Sequence, residues 1–431
     1  MRISLPWDVD VYGTIGRRRR SEAEEIPNDM LQEILMKLPT KDVARCCCVS
    51  RQWRSALGDP SFRKLHAASH AALSAEPEFL RLSGVPCGIG QSVKTSVFSL
   101  SSDKSMCSIA KPEGYGLADI CNGLLCFVDE HGAQAPALVC NPVTGETLEL
   151  PAAPPLSNKD HAYFFAFGFS PPTNEYKLFR LSFPLCSYSS EEQRVDVDVY
   201  TLGDARGWRK DSFLSSSRPL TRGNDTSTPV LIDGKLHVVT KGWNAPMWQV
   251  AAGVLVVDVP TETCHAYPLP DDLGTYRYDN PLAFELKGQL CLAAHVLNSY
   301  NRPKALRFWV MATENKESDG EKEPHWELRY NFFVQVEPPI PIRWPWSCVS
   351  WSAWFQHETL FYTCNDTLYK YDTRSSVPDH GRLLQWDKQL QRIPSYEWLW
   401  FIHWGYRPTL VSPRIFELPP SQDETMMDVC S

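Results

Sequence analysis

The chain has 431 residues, 43% of them hydrophobic, enough to bury the cores of two or three domains. With 43 Lys and Arg against 51 Asp and Glu its net charge is −8, which argues against the extended basic face that nucleic-acid binding uses. No run of 18 apolar residues occurs, and the opening MRISLPWDVD lacks the charged-then-apolar order of a secretory leader, so an intracellular protein of the nucleus and/or cytoplasm is expected.

Residues 1–23 show no hydrophobic period and read as a disordered basic arm; the run Arg17 to Arg20 fits either a nuclear-import signal or a solvated charge cluster. Residues 24–68 differ in kind. Pro27 suits a first helical position, and Met30, Leu31, Ile34, Leu35 and Leu38 then fall within an arc of about 140° at 100° per residue. Pro39 stops that helix. Thr40 fits the cap of a second helix, Ser50 the cap of a third that carries Trp53 and Leu57, and Asp59-Pro60 opens a fourth. Roughly 45 residues in short helices expose too much surface to be stable alone. Ile26, Leu31, Ile34, Leu35, Leu38, Val43, Val49, Trp53 and Leu57 all need cover, and the stripe on the first helix has no evident partner within the unit. A docking partner is implied. The alanine-rich stretch that follows, about residues 69–78, predicts a helical linker.

From Phe79 the texture changes to short β-rich runs broken by Gly, Pro, Asn and Asp. A small turn followed by a hydrophobic strand recurs as NGLLCFV from Asn122, DGKLHVV from Asp233, KGQLCLA from Lys287 and HETLFYT from His357. The repeat unit of about 45–65 residues suits propeller blades, because one small sheet cannot cover both its faces while a ring of them can. Residues 116–156, 162–214, 226–270, 280–331 and 348–394 are the expected blades. Strands within 79–110 and 395–418 are left to pair as a sixth, closing the ring through the two ends and making 407–418 structural. Residues 215–225 and 314–323 read as surface insertions and 419–431 as a disordered tail. The expected fold class is therefore α+β multidomain: a short helical N-terminal unit, then an all-β propeller-like domain over 79–418 with about six blades.

The 14 cysteines form no C-x-x-C pair and no zinc spacing with His. Cys121, Cys126, Cys140, Cys291 and Cys364 lie in apolar strand-like runs, where free buried thiols in a reducing compartment are expected rather than a disulfide framework.

Two resemblances can be placed on these residues. The pattern I-P-x-D-x-L-x-E-I-L-x-x-L-P, then K-D-V-x-R-C-x-x-V-S-R-x-W, over residues 24–68, resembles the F-box. That resemblance implies docking on a Skp-type adaptor, which bridges to a cullin scaffold in an SCF-type ubiquitin ligase. It carries the adaptor contact to Ile26, Pro27, Leu31, Ile34, Leu35, Leu38, Pro39, Val43, Val49, Ser50 and Trp53; Trp53 serves equally well as core of the helical unit. Downstream, Asn122-Gly123-Leu124-Leu125-Cys126, Asn141-Pro142-Val143-Thr144-Gly145-Glu146 and Gly168-Phe169 with Asn174-Glu175-Tyr176-Lys177 resemble the F-box-associated interaction domain of plant F-box proteins, a kelch-like propeller. The function implied is that of a substrate receptor, with the F-box held by the ligase and the propeller capturing a protein to be ubiquitinated.

No G-x-S-x-G, H-E-x-x-H or P-loop pattern is present, so no catalytic residue, metal ligand or cofactor is assigned, and nucleic acid and membrane are not expected partners. The alternatives are a kelch-like propeller enzyme, or a ligand-binding or sequestering protein that does not drive degradation. Candidates for substrate capture are Trp243 and Trp248 in KGWNAPMWQV, and Arg343, Trp344 and Trp346 in PPIPIRWPWS, where prolines argue for loops that present large side chains. The same tryptophans are equally suited to filling gaps between blades.

Overall fold

The computed structural model describes residues 26–72, 78–85, 93–99, 104–112, 114–129, 132–157, 161–184, 193–215, 217–219, 229–242, 253–274, 281–297, 303–313, 324–333, 351–356, 359–364, 367–372, 385–389 and 400–417. Four helices come first: α1 (Asn28–Met36), α2 (Thr40–Cys46), α3 (Arg51–Gly58) and α4 (Pro60–Ala72). Pro27 and Pro39 precede α1 and α2 directly. Thr40 is the first residue of α2 and is buried, so it packs instead of capping. Ser50 Oγ accepts from Trp53 N at 3.2 Å and Asp59 Oδ1 from Ser61 N at 2.9 Å, as the cap signals predict. The expected connector is in part α4 itself, which continues to Ala72.

Six sheets follow. The first holds β1 (Glu78–Val85), β2 (Val93–Ser99) and β3 (Lys104–Lys111), with the last strand of the chain, Trp400–Tyr406, on its inner edge beside β1. The second holds β4 (Tyr115–Cys121), β5 (Leu124–Asp129), β6 (Leu138–Cys140) and β7 (Thr147–Glu149). The third holds β8 (His161–Ser170), β9 (Glu175–Pro184), β10 (Gln193–Thr201) and β11 (Arg209–Ser215). In the fourth, β12 (Ser217–Pro219) and β13 (Val230–Ile232) both pair with β14 (Lys235–Gly242), followed by β15 (Gly253–Asp258) and β16 (Cys264–Pro268). The fifth holds β17 (Leu282–Leu286), β18 (Gln289–Leu297), β19 (Pro303–Thr313) and β20 (Pro324–Phe333). The sixth holds β21 (Trp351–Gln356), β22 (Thr359–Cys364), β23 (Thr367–Asp372) and β24 (Gln385–Gln389). The closing strand is β25 (Trp400–Tyr406).

Among the described residues every strand pair is antiparallel, and β25, β4, β8, β13 with β14, β17 and β21 adjoin one another in turn, so the sheets stand as blades of a propeller-like domain. Two details differ from the sequence reading. The closing strand ends at Tyr406, and residues 407–417 run on as an irregular segment with one 3-10 turn at Pro413–Phe416. Part of the expected insertion at 215–225 is β12, which pairs Ser217 with Gly242 and Pro219 with Thr240. The segment 314–323 lies outside the described residues, as do residues 1–25 and 418–431.

The repeated turn has a backbone cause. Asn122-Gly123, Asp233-Gly234 and Lys287-Gly288 all hold both residues at positive φ, at 45° and 81°, 48° and 74°, and 52° and 78°, the two-residue geometry whose twist matches that of the joined strands. These turns, with those at 141–146, 171–174, 203–207 and 259–263, form one rim of the domain. Residues 407–417 lie along it: a Cβ on Gly123 would collide with the Arg407 carbonyl, and Phe416 stands against Gly203 and edge-on to Tyr176 at 5.6 Å.

Between blades, apolar clusters are supplemented by a few polar ties. Asp119 Oδ2 accepts from Phe167 N at 3.2 Å, and Lys177 Nζ, 5% exposed, reaches Val259 O at 3.0 Å and Glu262 Oε1 at 2.8 Å. On the outer strands Trp208 Nε1 donates to Pro151 O at 3.1 Å and Trp326 Nε1 to Pro268 O at 2.8 Å, each joining its blade to the one before. Inside the third blade Arg180 and Asp198 are opposite one another in the β9–β10 register and fully buried, paired at 2.7 and 3.1 Å, with a further Arg180 bond to Ala133 O at 2.7 Å.

Two glycines separate backbone strain from collision. Gly145 (φ +72°) faces open space, so Gly145→Ala loses about 1–2 kcal/mol from the left-handed conformation alone. Gly123→Ala carries the same strain plus the clash with Arg407, and is expected to lose about 1 kcal/mol or more beyond it. Urea unfolding of the two variants side by side checks the order.

Candidate functional site

The helical unit carries the chain's most distinctive surface, because the apolar arc of α1 is divided in two. Leu31 and Leu35 turn inward and are 0% exposed, packed with Val43, Leu57 and Phe62. Ile26, Met30 and Ile34, spaced i, i+4, i+8, turn outward and are 37%, 55% and 43% exposed. Met30 and Ile34, four apart on α1, share one side of the helix, and Ile26 is exposed just before its start. Val49, 62% exposed, belongs to the same end of the unit, since Gln52 Nε2 donates to Ile26 O at 2.5 Å and ties the start of α3 to the start of α1.

The expectation that the stripe of Leu31, Ile34 and Leu35 lacks a partner within the helical unit is therefore corrected for Leu31 and Leu35, and Val43 is likewise interior. Helices α1, α3 and α4 pack on one another, and the cover they still lack comes from Leu410, 3% exposed, in the segment after the last strand. Leu38 and Trp53 are half-buried against this cluster, so Trp53 contributes to the core while keeping part of its ring accessible. Ile26, Pro27, Ile34, Pro39, Val49 and Ser50 are exposed. Met30 was missing from the family pattern, yet its spacing from Ile26 and Ile34 marks it in the sequence. Trp243, Trp248, Arg343, Trp344 and Trp346 lie outside the described residues. The strand ends flanking them, Gly242 and Gly253, Phe333 and Trp351, are at the rim opposite the turns that meet residues 407–417.

The unit is fastened to the second blade. Arg63 of α4 donates to both carboxylate oxygens of Glu146 at 2.9 and 3.1 Å, and its Nε to Leu57 O at 2.7 Å. Burial by itself would raise the Glu146 carboxyl, but hydrogen bonds from Ser412, Thr144 and Arg63, with the Arg63 charge, hold it below its usual value. Asn141, 1% exposed, donates from Nδ2 to Thr409 O at 2.9 Å and Val411 O at 2.7 Å, and its Oδ1 accepts from Val143 N at 2.8 Å.

Nothing in this arrangement resembles a reaction centre. Among the described residues no three His, Cys, Asp or Glu side chains gather as a metal site. Burial pushes the Cys107 thiol up to about 11 and the Cys264 thiol up to about 12. It also raises Cys121, Cys140 and Cys291 well above the ordinary thiol value, so these thiols stay protonated and inert at neutral pH.

Leu31→Ala or Leu35→Ala is expected to destabilise the helical unit by about 2–5 kcal/mol, whereas Ile34→Ala changes stability by less than about 1 kcal/mol; thermal melts of the full chain compare them. A second expectation follows from Glu146. Because its folded pKa is lowered, its contribution is complete above about pH 5 and is lost as pH falls through the carboxylate range below about 4.3. The difference in melting temperature between the wild type and Glu146→Gln should be constant from pH 7 to 5 and shrink as the pH falls further.

Comparison with known proteins agrees with both halves of this description. The F-box domain family matches residues 24–65, and the F-box associated beta propeller domain matches residues 89–324. The F-box protein At3g07870 of Arabidopsis thaliana is 30% identical over 340 residues, covering 73% of this chain and 75% of its own. The F-box protein At5g65850 of the same plant is 26% identical over 326 residues, covering 70% and 74%. Among solved structures, a protein from Lactobacillus plantarum aligns at 12% identity with a TM-score of 0.38, covering 73% of this chain and 82% of its own. A helical unit with an outward apolar stripe, set on six small sheets and matched in both parts, identifies the chain as a member of the F-box proteins that carry an F-box associated β-propeller domain.

Proposed function

We propose that this chain is the substrate-recognition subunit of an SCF-type ubiquitin ligase. Its F-box docks on a Skp-type adaptor, and through it on a cullin scaffold, while the kelch-like propeller captures the protein to be ubiquitinated. The observation that carries the reading is the stripe Ile26, Met30 and Ile34 with Val49 beside it: large apolar side chains left in water on a unit whose other apolar face is already covered. Side chains of this size cluster at the centres of interfaces, where each desolvated anchor contributes on the order of 2 kcal/mol. The chain supplies no catalytic residue in this scheme; its part is to hold two proteins near each other in the nucleus or cytoplasm.

The test uses point variants of the full chain, because deleting the F-box would uncover Leu410. Replacing Met30 and Ile34 together by Ser should weaken binding to a purified Skp-type adaptor roughly a hundredfold or more, with the melting temperature unchanged. The same double variant, expressed with the proteasome inhibited, should retain the captured protein and fail to conjugate ubiquitin to it. Undiminished adaptor binding by the folded variant would remove the docking assignment. Captured partners whose lifetimes ignore the variant would favour sequestration over degradation.

A further inference from the structure

The F-box of this protein is not a self-contained module. Its apolar interior is completed by Leu410, which packs on Leu31, Leu35, Val43, Leu57 and Phe62. Leu410 is held from both sides, because Asn141 binds the carbonyl oxygens of residues 409 and 411. A second tie, Arg63 to Glu146, joins α4 to the β6–β7 turn, and Arg63 also grips the end of α3 through Leu57 O. Ser412 hydrogen-bonds the same Glu146 carboxylate, so the charged tie and the segment that carries Leu410 share one anchor. An apolar plug, an amide clamp and a charged pair thus join the helices to the 141–146 turn and residues 409–412.

The segment that carries Leu410 begins directly after Tyr406, the last residue of β25, and β25 is paired with β1. Neighbouring positions on α1 differ by about 100° in direction. With Leu31 and Leu35 on the side that shares a cluster with Leu410, Met30 and Ile34 therefore face outward, and Ile26 is exposed just before the helix.

We infer that adaptor docking is conditional on a closed propeller. Residues 409–412 and the Asn141–Glu146 turn act as positioning residues for an adaptor surface they do not touch. This rests on the adaptor reading of the outward stripe and adds two things to it. A chain whose last strand is unpaired presents a disordered docking face and is not loaded onto the ligase. A closed chain presents that face at one fixed angle to the propeller, so a captured protein is held at one distance from the conjugating end rather than over a range of distances.

The experiment measures two quantities on the full-length chain: affinity for a purified Skp-type adaptor, and the distance distribution between labels introduced at Glu33 and Asn174, exposed or half-exposed positions on α1 and on the third blade's turn. The variants are Leu410→Ala, Arg63→Glu, Glu146→Arg and the double exchange Arg63→Glu with Glu146→Arg. Leu410→Ala should weaken adaptor binding about tenfold or more and broaden the distance distribution. Each single charge reversal should weaken binding about fivefold, and the double exchange should bind more tightly than either single reversal and narrow the distribution relative to both. Recovery in the double exchange is an outcome that general damage to the fold does not produce. Wild-type affinity and a narrow distribution in Leu410→Ala and in both single reversals would overturn the inference. If the wild-type chain binds no adaptor, the adaptor reading fails; the label distances then still show whether the clamp holds the helices.

Discussion

The pairing of β1 with β25 is the constraint on which the rest of the molecule depends. One sheet contains the first and the last strand of the β domain, in antiparallel register from Glu78 opposite Tyr406 to Ser83 opposite Trp400. Two edges that would otherwise stand open are thereby satisfied. The same pairing brings both ends of the domain to one rim, so the helices that precede β1 and the segment that follows β25 meet there. Their meeting is not incidental: a small helical unit lacks the volume to hide its own leucines, and the segment supplies the missing cover with Leu410.

The two mouths of the propeller are consequently unequal. The turn rim is overlain by residues 407–417 from the second to the third blade, with the F-box beside the second blade's turn. The opposite rim holds the far ends of the strands, Gly242, Gly253, Phe333 and Trp351 among them. Under the receptor role proposed above, such a division would let an adaptor and a captured protein bind without competing for one surface. Rigidity adds to this, because a scaffold without a hinge at its joint keeps a high effective concentration of one bound protein near the other.

Much of this plan was legible in the chain itself, and the parts that were not share a cause. The turns at Asn122-Gly123, Asp233-Gly234 and Lys287-Gly288 announced themselves because two consecutive residues at positive φ favour Asn, Asp or Gly, a preference met in full by the first two turns and by Gly288 in the third. Ser50 and Asp59 marked helix starts for equally local reasons. The closing of the ring by the chain's two ends was also readable, as leftover strands at both termini. The division of the α1 stripe was not. A helical period shows that Leu31, Ile34 and Leu35 share an arc, but which half of the arc meets solvent depends on Leu410, more than 370 residues away, and no periodicity carries that information. The same holds for Glu146 and Asn141: their turn residues read as fold motifs, and their second role as anchors exists only in three dimensions.

The charges inside the third blade show the other side of burial. Arg180 and Asp198 face each other across β9 and β10 with almost no exposure to solvent. Slipping one strand by a single residue sends every side chain to the opposite face, and here it would leave a guanidinium and a carboxylate apart in a dry interior, a penalty of several kcal/mol for each ion. An all-apolar pair at these positions would tolerate the slip far better, because hydrophobic contact has little sense of direction. The blade thus discriminates among its own possible alignments in the way a binding pocket discriminates among ligands, by leaving the wrong one with an unmet charge.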